Sequence, residues 1–263
     1  MSGKIKKARP KIGLALGGGG VRGSAHVGVL NVLEEYGVEI DMLAGTSAGS
    51  AVAALYAFGY SPQSLQEILG SLNLREILRL SPGRMGLISS RGYAELIRRH
   101  TNNGLIEQAA KKLLIVSVDL ISQKEFVFTS GEAALAAQAS SALPGLMPPL
   151  RYQGMLLADG GILNNCPTRC LYDAGAEVVL AVNLSCLAEY EPKSTVDVLF
   201  RSMDIIGNNN AGQAGADWMV SPITEPVGVL DRHMLERARQ LGEEAARREI
   251  GRLLELLASY EGV

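Results

Sequence analysis

The chain has 263 residues with 25 Lys and Arg against 27 Asp and Glu, a formal net charge of −2, so it carries no electrostatic footprint for nucleic acid. With 47% hydrophobic and 20% charged residues it has the make-up of a globular protein that can bury a sizeable core. The basic start runs into Pro10 rather than an apolar stretch, and no apolar run reaches about 18 residues, so a cytoplasmic protein without signal peptide or membrane span is expected.

In chain order, Lys4, Lys6, Lys7, Arg9 and Lys11 make the start basic, and residues 1–10 read as a solvated, frayed tail with weak attraction to anionic lipid as the alternative. Ile12 to Leu16 reads as a short buried strand. Gly17-Gly18-Gly19-Gly20-Val21-Arg22-Gly23 follows, then a helical pattern through Val27, Leu30, Leu33 and Tyr36, stopped by Gly37. Met42 to Ala44 gives a second strand, and Ser47 to Phe58 a second helix closed by Gly59. Ser61-Pro62 is an N-cap followed by proline at the first helical position, opening a helix through Leu65, Ile68 and Leu69. Residues 75–110 are expected to hold helical segments separated by Ser81-Pro82-Gly83 and Thr101-Asn102-Asn103-Gly104, with a mobile flap around Met85 to Ser90.

Leu113 to Val118 is a nearly continuous apolar strand, as in a sheet covered on both faces, and Glu125 to Thr129 alternates like a strand nearer an edge. A small-residue helix over Glu132 to Ser141 ends at Pro144, and Pro148-Pro149 holds the next stretch extended. Arg151 to Ala158 reads as two short strands turning near Gln153-Gly154, and delivers Asp159-Gly160-Gly161. A helix from Pro167 to Ala174, a strand over Glu177 to Asn183, a helix over Val196 to Ile206 and a strand at Trp218 to Val220 come next. The last element is an amphipathic helix from about Asp231 to Ser259. No repeat or linker interrupts, so residues 11–259 read as one α/β domain. Cys166, Cys170 and Cys186 lack Cys-x-x-Cys spacing and read as buried free thiols, and no metal or cofactor is expected.

The stretch Gly45-Thr46-Ser47-Ala48-Gly49 has the form of a nucleophile elbow, in which a strand delivers a serine at a sharp turn and a helix begins at once. The earlier glycine turn admits three readings. Gly18-x-Gly20-x-x-Gly23 matches the dinucleotide fingerprint, with Asp41 near the spacing of the ribose-binding acid, which would make the chain an NAD(P)-binding oxidoreductase. Against this, Asp41 precedes its strand instead of ending it. Alternatively the consecutive glycines present amides at a helix N-terminus as an oxyanion hole. Close packing is the third reading.

A serine hydroxyl needs a base. Of three histidines, His26 reads as a packing or capping residue one turn past the glycines, His100 as exposed, and His233 as the one in the order of an α/β-hydrolase triad. Asp159, ending a strand before two glycines, is the better candidate, provided burial raises its proton affinity. Capping accounts for Asp119 and Asp173.

Gly17 to Gly23, Gly45 to Gly49 and Asp159-Gly160-Gly161 resemble, in this order, the three motifs of the patatin-like phospholipase family. Ala139-Ser140-Ser141-Ala142-Leu143-Pro144, Pro148-Pro149 and Asn165-Cys166-Pro167 resemble the family's intervening segments, so that the likeness covers roughly residues 11–185. The resemblance implies a three-layer α/β/α sandwich with a mainly parallel sheet and a Ser47–Asp159 dyad that needs no metal. It also implies an oxyanion hole from the amides of Gly18, Gly19 and Gly20, with Arg22 fixing the loop or meeting a phosphate. The expected substrate is a lipid ester such as a phospholipid or lysophospholipid, reached by transient membrane-surface contact. A catalytically silent lipid-binding protein on the same scaffold is the alternative.

Overall fold

The computed structural model describes residues 9–72, 79–211 and 215–261. Strand β1 (Ile12–Leu16) runs through the glycine turn into helix α1 (Ser24–Glu35), and β2 (Met42–Thr46) runs through Ser47 into α2 (Ala48–Ala57). Helix α3 (Pro62–Ser71) opens at Ser61, whose hydroxyl accepts from the Ser64 amide at 3.2 Å. A hairpin of β3 (Arg79–Gly83) and β4 (Gly86–Ser89) leads to α4 (Arg91–Thr101), β5 (Lys112–Asp119), β6 (Lys124–Phe128) and α5 (Ala133–Ser140). The chain continues with β7 (Leu150–Tyr152), β8 (Met155–Asp159), α6 (Arg169–Asp173), β9 (Val178–Val182), α7 (Thr195–Ala211), β10 (Trp218–Val220) and α8 (Leu235–Glu261).

The main sheet has the order β10-β9-β1-β2-β5-β8-β7, with β6 also paired to β5. From β10 to β5 every pairing is parallel, while β6, β7 and β8 pair antiparallel. Because successive residues of a strand point to opposite faces, each central strand feeds two cores. Leu14, Leu43, Ile115 and Leu180 face a large core shared with α1, α2, α5 and α8. Ala15, Ala44, Leu114 and Ala181 face a smaller one shared with Cys166, Cys170 and Leu171 around α6. Helices thus cover both faces in a three-layer α/β/α sandwich.

Three local readings change. The stretch expected to be helical around Ser81-Pro82-Gly83 is the β3–β4 hairpin, where proline is tolerated because a two-stranded ribbon has only edge strands; residues 75–78 lie outside the described residues. Arg9, expected in the frayed tail, pairs with Asp41 at 2.7 Å and Glu39 at 2.8 Å, and Pro10 is buried; Lys4, Lys6 and Lys7 lie outside the described residues. His100, expected exposed, is half-buried with its ring edge-on to Tyr60.

Candidate active site

Sheet register brings the serine and the aspartate together. On one edge of β5, Thr46 pairs with Val116 at the end of β2, and the next residue of β5, Ser117, pairs with Asp159 at the end of β8. The other edge of β5 is taken by β6 over the same residues. Strand β8 therefore arrives head-on where β2 stops, and Ser47 and Asp159 meet across the gap, lining one cleft.

Ser47 has φ 52° and ψ −122°, a backbone conformation unusual for a residue with a side chain, and it is over-determined by its neighbours. Its amide donates to Ser140 Oγ at 2.9 Å, and Ser140 in turn donates to the Val116 carbonyl at 2.5 Å. Its carbonyl accepts from the Ser50 amide at 2.9 Å, the Ser50 hydroxyl at 2.6 Å and the Tyr93 hydroxyl at 2.9 Å. Gly49 lets α2 start here, since a Cβ on it would collide with the Leu16 carbonyl of β1. The N-terminus of α2 adds its positive dipole end at the serine.

Asp159 is 1% exposed. Its Oδ1 accepts from the Gly161 amide at 2.8 Å, while Oδ2 is buried without a fully formed hydrogen bond. Burial pushes the carboxyl up to about 6, against the opposing pull of the Gly161 amide and the nearby Ser47 hydroxyl. The proton affinity of this acid is thus raised by desolvation, as a carboxylate base requires.

The glycine turn lies beside the serine because β1 and β2 are adjacent and parallel. Gly18 touches the elbow directly: a Cβ there would stand 3.0 Å from Ser47 Cβ and 2.6 Å from Asn165 Oδ1. The structure narrows the expected oxyanion set, because the Gly18 amide is already committed to the Asn165 carbonyl at 3.1 Å. The Gly19 and Gly20 amides make no such bond among the described residues. Arg22 is buried as a loop-fixing residue. Its guanidinium donates to the Val227 carbonyl at 2.9 Å, to the Leu184 carbonyl at 3.5 Å and to Asp204 at 2.6 Å, which leaves it bound to the protein rather than free for a phosphate.

None of the three histidines bonds to Ser47 or Asp159. His26 donates from Nε2 to the Gly17 carbonyl at 2.8 Å, and complete burial lowers it to about 4. His100 meets Tyr60, and His233 is exposed at the turn before α8. Asp119 binds the amides of Ile121, Ser122 and Leu156 and the Ser122 hydroxyl, the last of these doing most to lower it to about 2. Asp173 pairs with Arg169 on the surface. Asp41, the acid of the dinucleotide reading, is bound by Arg9 and the Ile12 amide at the opposite end of β2 from the glycine turn. Ser140, Tyr93 and Asp204 carry parts of the site that the motifs did not single out. Ser140 lay within a segment already matched, whereas Tyr93 and Asp204 carry no local signature.

Two recesses meet at Ser47. The polar one is small and lined by Gly18, Gly19, Arg22, Asp159, Asn165 and Asp204. The apolar one, about 140 Å³, is lined by Ala51, Val52, Leu69, Leu96, Leu146 and Val229 among others. Leu143 and Phe200 line both and form the partition. A separate cleft between α3 and α8, lined by Gln63, Gln66, Glu67 and Glu236, contains neither Ser47 nor Asp159.

A three-layer α/β/α sandwich here sets a strained serine at the end of β2 against a buried carboxylate at the end of β8, the layout of an α/β protein with a nucleophile elbow. The model of the patatin-like phospholipase family matches residues 14–172, and the chain belongs to that family. An uncharacterised NTE family protein of Mycobacterium tuberculosis is 36% identical over 179 residues, 67% of this chain and 49% of the relative. The lysophospholipase NTE1 of Pyricularia oryzae is 31% identical over 196 residues, 72% of this chain and 13% of the relative. The chain thus spans about half the length of its mycobacterial relatives and a small part of the fungal one. In fold it is similar to VipD from Legionella pneumophila, with TM-score 0.59 at 14% identity, covering 97% of this chain and 67% of VipD. ExoU in its complex with SpcU from Pseudomonas aeruginosa gives 0.52 at 16% identity, covering 95% of this chain and 53% of that one.

Proposed function

We propose that the chain is a serine acyl hydrolase of lipid esters, of the phospholipase A or lysophospholipase type, working through a Ser47–Asp159 dyad without a metal. The observation that carries this reading is a fully buried carboxylate, raised to about 6, with one free oxygen beside a strained elbow serine. Membership of the patatin-like phospholipase family supports the substrate class.

In the proposed reaction Ser47 Oγ attacks the ester carbonyl carbon and its proton passes to Asp159. The carbonyl oxygen takes the negative charge and is held by the amides of Gly19 and Gly20, donors of a kind worth about 2.7–4 kcal/mol each in other acyl hydrolases. Collapse of the tetrahedral adduct breaks the bond to the leaving alcohol, which takes the proton from Asp159. Water then attacks the acyl-serine, giving a proton to Asp159. Collapse of this second adduct breaks the bond between the acyl carbon and Ser47 Oγ, Asp159 returns the proton to Oγ, and the carboxylic acid leaves. The apolar recess suits the acyl chain, and the polar one suits the reacting ester and its alcohol side.

A fluorophosphonate probe is expected to label Ser47, and Ser47→Ala to abolish both labelling and hydrolysis of a short acyl ester. Full activity in that variant ends the reading.

A further inference from the structure

The β3–β4 hairpin combines three features that the acyl-hydrolase chemistry does not use. Leu80 is 82% exposed, Leu87 54% and Met85 50%, a cluster of large apolar side chains on one short ribbon. Arg79, Arg84 and Arg91 are exposed around them, and residues 79–91 contain no Asp or Glu. Among the described residues no carboxylate forms an ion pair with these arginines.

The hairpin is also fastened to the wall of the acyl recess. The amides of Leu87 and Ile88 both donate to the Leu146 carbonyl at 2.9 Å, and Leu146 lines the recess. Strand alternation sends Ile88 inward against Leu143, Leu146, Phe200 and Val229, and leaves Leu87 outward. Gly86 packs against Met147 and Pro148 so closely that a Cβ would overlap them. Ile88 thus helps to wall the recess that holds Ser47, while Leu87 on the opposite face, Leu80 across the ribbon from Ile88 and Met85 at its turn carry apolar surface into solvent beside the arginines.

We propose that this hairpin is a membrane-docking element that seats on an anionic lipid surface. Leu80, Met85 and Leu87 enter the acyl boundary and Arg79, Arg84 and Arg91 meet the headgroups. The charge favours a lipid surface over a second copy of the chain, since two such faces would oppose arginine to arginine. Apolar side chains with a basic rim bind anionic membranes by burial plus attraction, the pattern of interfacial segments generally. The purpose of docking rests on the acyl-hydrolase reading, because it would bring the recess to its substrate; the binding itself does not.

The test is co-sedimentation of the full chain with vesicles of phosphatidylcholine alone and with roughly one-third phosphatidylglycerol, alongside hydrolysis of a soluble short-chain ester. Binding is expected to the anionic vesicles, weakening as salt rises. Leu80→Ser/Met85→Ser/Leu87→Ser is expected to weaken it at least tenfold, and Arg79→Gln/Arg84→Gln/Arg91→Gln by on the order of 100-fold, at about fivefold per arginine. Both variants should hydrolyse the soluble ester as the parent does, which shows that they fold. Undiminished vesicle binding by either triple variant, equal binding to neutral vesicles, or no binding by the parent overturns the proposal. So does a dimer in sedimentation velocity that the apolar triple variant dissolves, since it would assign the face to a second copy. Loss of ester hydrolysis in Ser47→Ala with vesicle binding intact leaves the two readings separately scored.

Discussion

The glycine turn after β1 and the serine turn after β2 sit side by side at the ends of adjacent parallel strands, and each runs into a helix. They are secured differently. The anchors on Ser47 itself are neutral donors or acceptors on its backbone: Ser140 on its amide, Ser50 and Tyr93 on its carbonyl. Only the hydroxyl is left for chemistry. The glycine turn has no side chains of its own to lock, so Arg22 reaches from its far end to Leu184, Asp204 and Val227, and the Val21 amide donates to Val229. These partners all lie beyond residue 172, where the family match ends, whereas the supports of the serine turn lie within it. The C-terminal third therefore belongs to the site: it holds the loop that offers the free amides.

The largest effect is expected where the serine turn meets its acid. Asp159→Asn removes the base while keeping the shape, and kcat should fall about 10²–10⁴-fold, as for loss of a general base elsewhere. In the parent, kcat/KM should rise about tenfold per pH unit up to about pH 6 and then level, because only the ionised carboxylate accepts the proton. Stability should run the other way. The folded-state value lies above the ordinary 3.8, so the contribution of this group is fully present below about pH 3.8 and is lost as pH rises through about 6. At pH 8 the buried charge costs about 3 kcal/mol, from roughly two units at about 1.4 kcal/mol each. Denaturant melts at pH 8 should therefore find Asp159→Asn more stable than the parent, though inactive. His26 is neutral in both states at that pH and does not disturb the comparison.

The glycine turn is broken through its ion pair. Asp204→Ala leaves the Arg22 guanidinium buried without its partner and should cost about 3–5 kcal/mol in denaturant melts. Replacing both partners, Arg22→Met with Asp204→Leu, should restore most of that stability, because an apolar pair escapes the desolvation cost. It should not restore the rate of ester hydrolysis if the pair serves to aim the Gly19 and Gly20 amides. A double variant with full activity would mean that packing alone sets the loop.

Much of this was legible in sequence wherever the determinants are local. The β1 and β2 strands, the glycine turn, the serine elbow and the acid ending β8 each carry their own pattern, so Ser47 and Asp159 could be named before any distance was known. Register was not legible. That β8 arrives where β2 stops depends on Ser117 pairing with Asp159 next to Val116 pairing with Thr46, a relation between three strands far apart in the chain. Nor could glycine spacing distinguish amides that are free from amides that are spent, and Gly18 proved to be spent on Asn165. Asp204 was illegible for the same reason, its partner lying 182 residues away. The hairpin was missed because Ser81-Pro82-Gly83 reads as a break between helices, and edge strands tolerate the proline that helices do not.

The smallest effect sharpens the contrast most. Tyr93→Phe removes one of three donors on the Ser47 carbonyl and leaves both donors from Ser50 in place. A neutral hydrogen bond lost under those conditions should cost about 1 kcal/mol in denaturant melts. Hydrolysis of a short ester should change by only a few-fold, because the elbow keeps its conformation through Ser50 and Ser140. The serine turn would then be redundant in its neutral anchors, where the glycine turn counts a buried ion pair among its own. If Tyr93→Phe instead lowered kcat as far as Asp204→Ala does, α4 would hold the serine turn as strictly as α7 holds the glycine turn, and the asymmetry between the two would be gone.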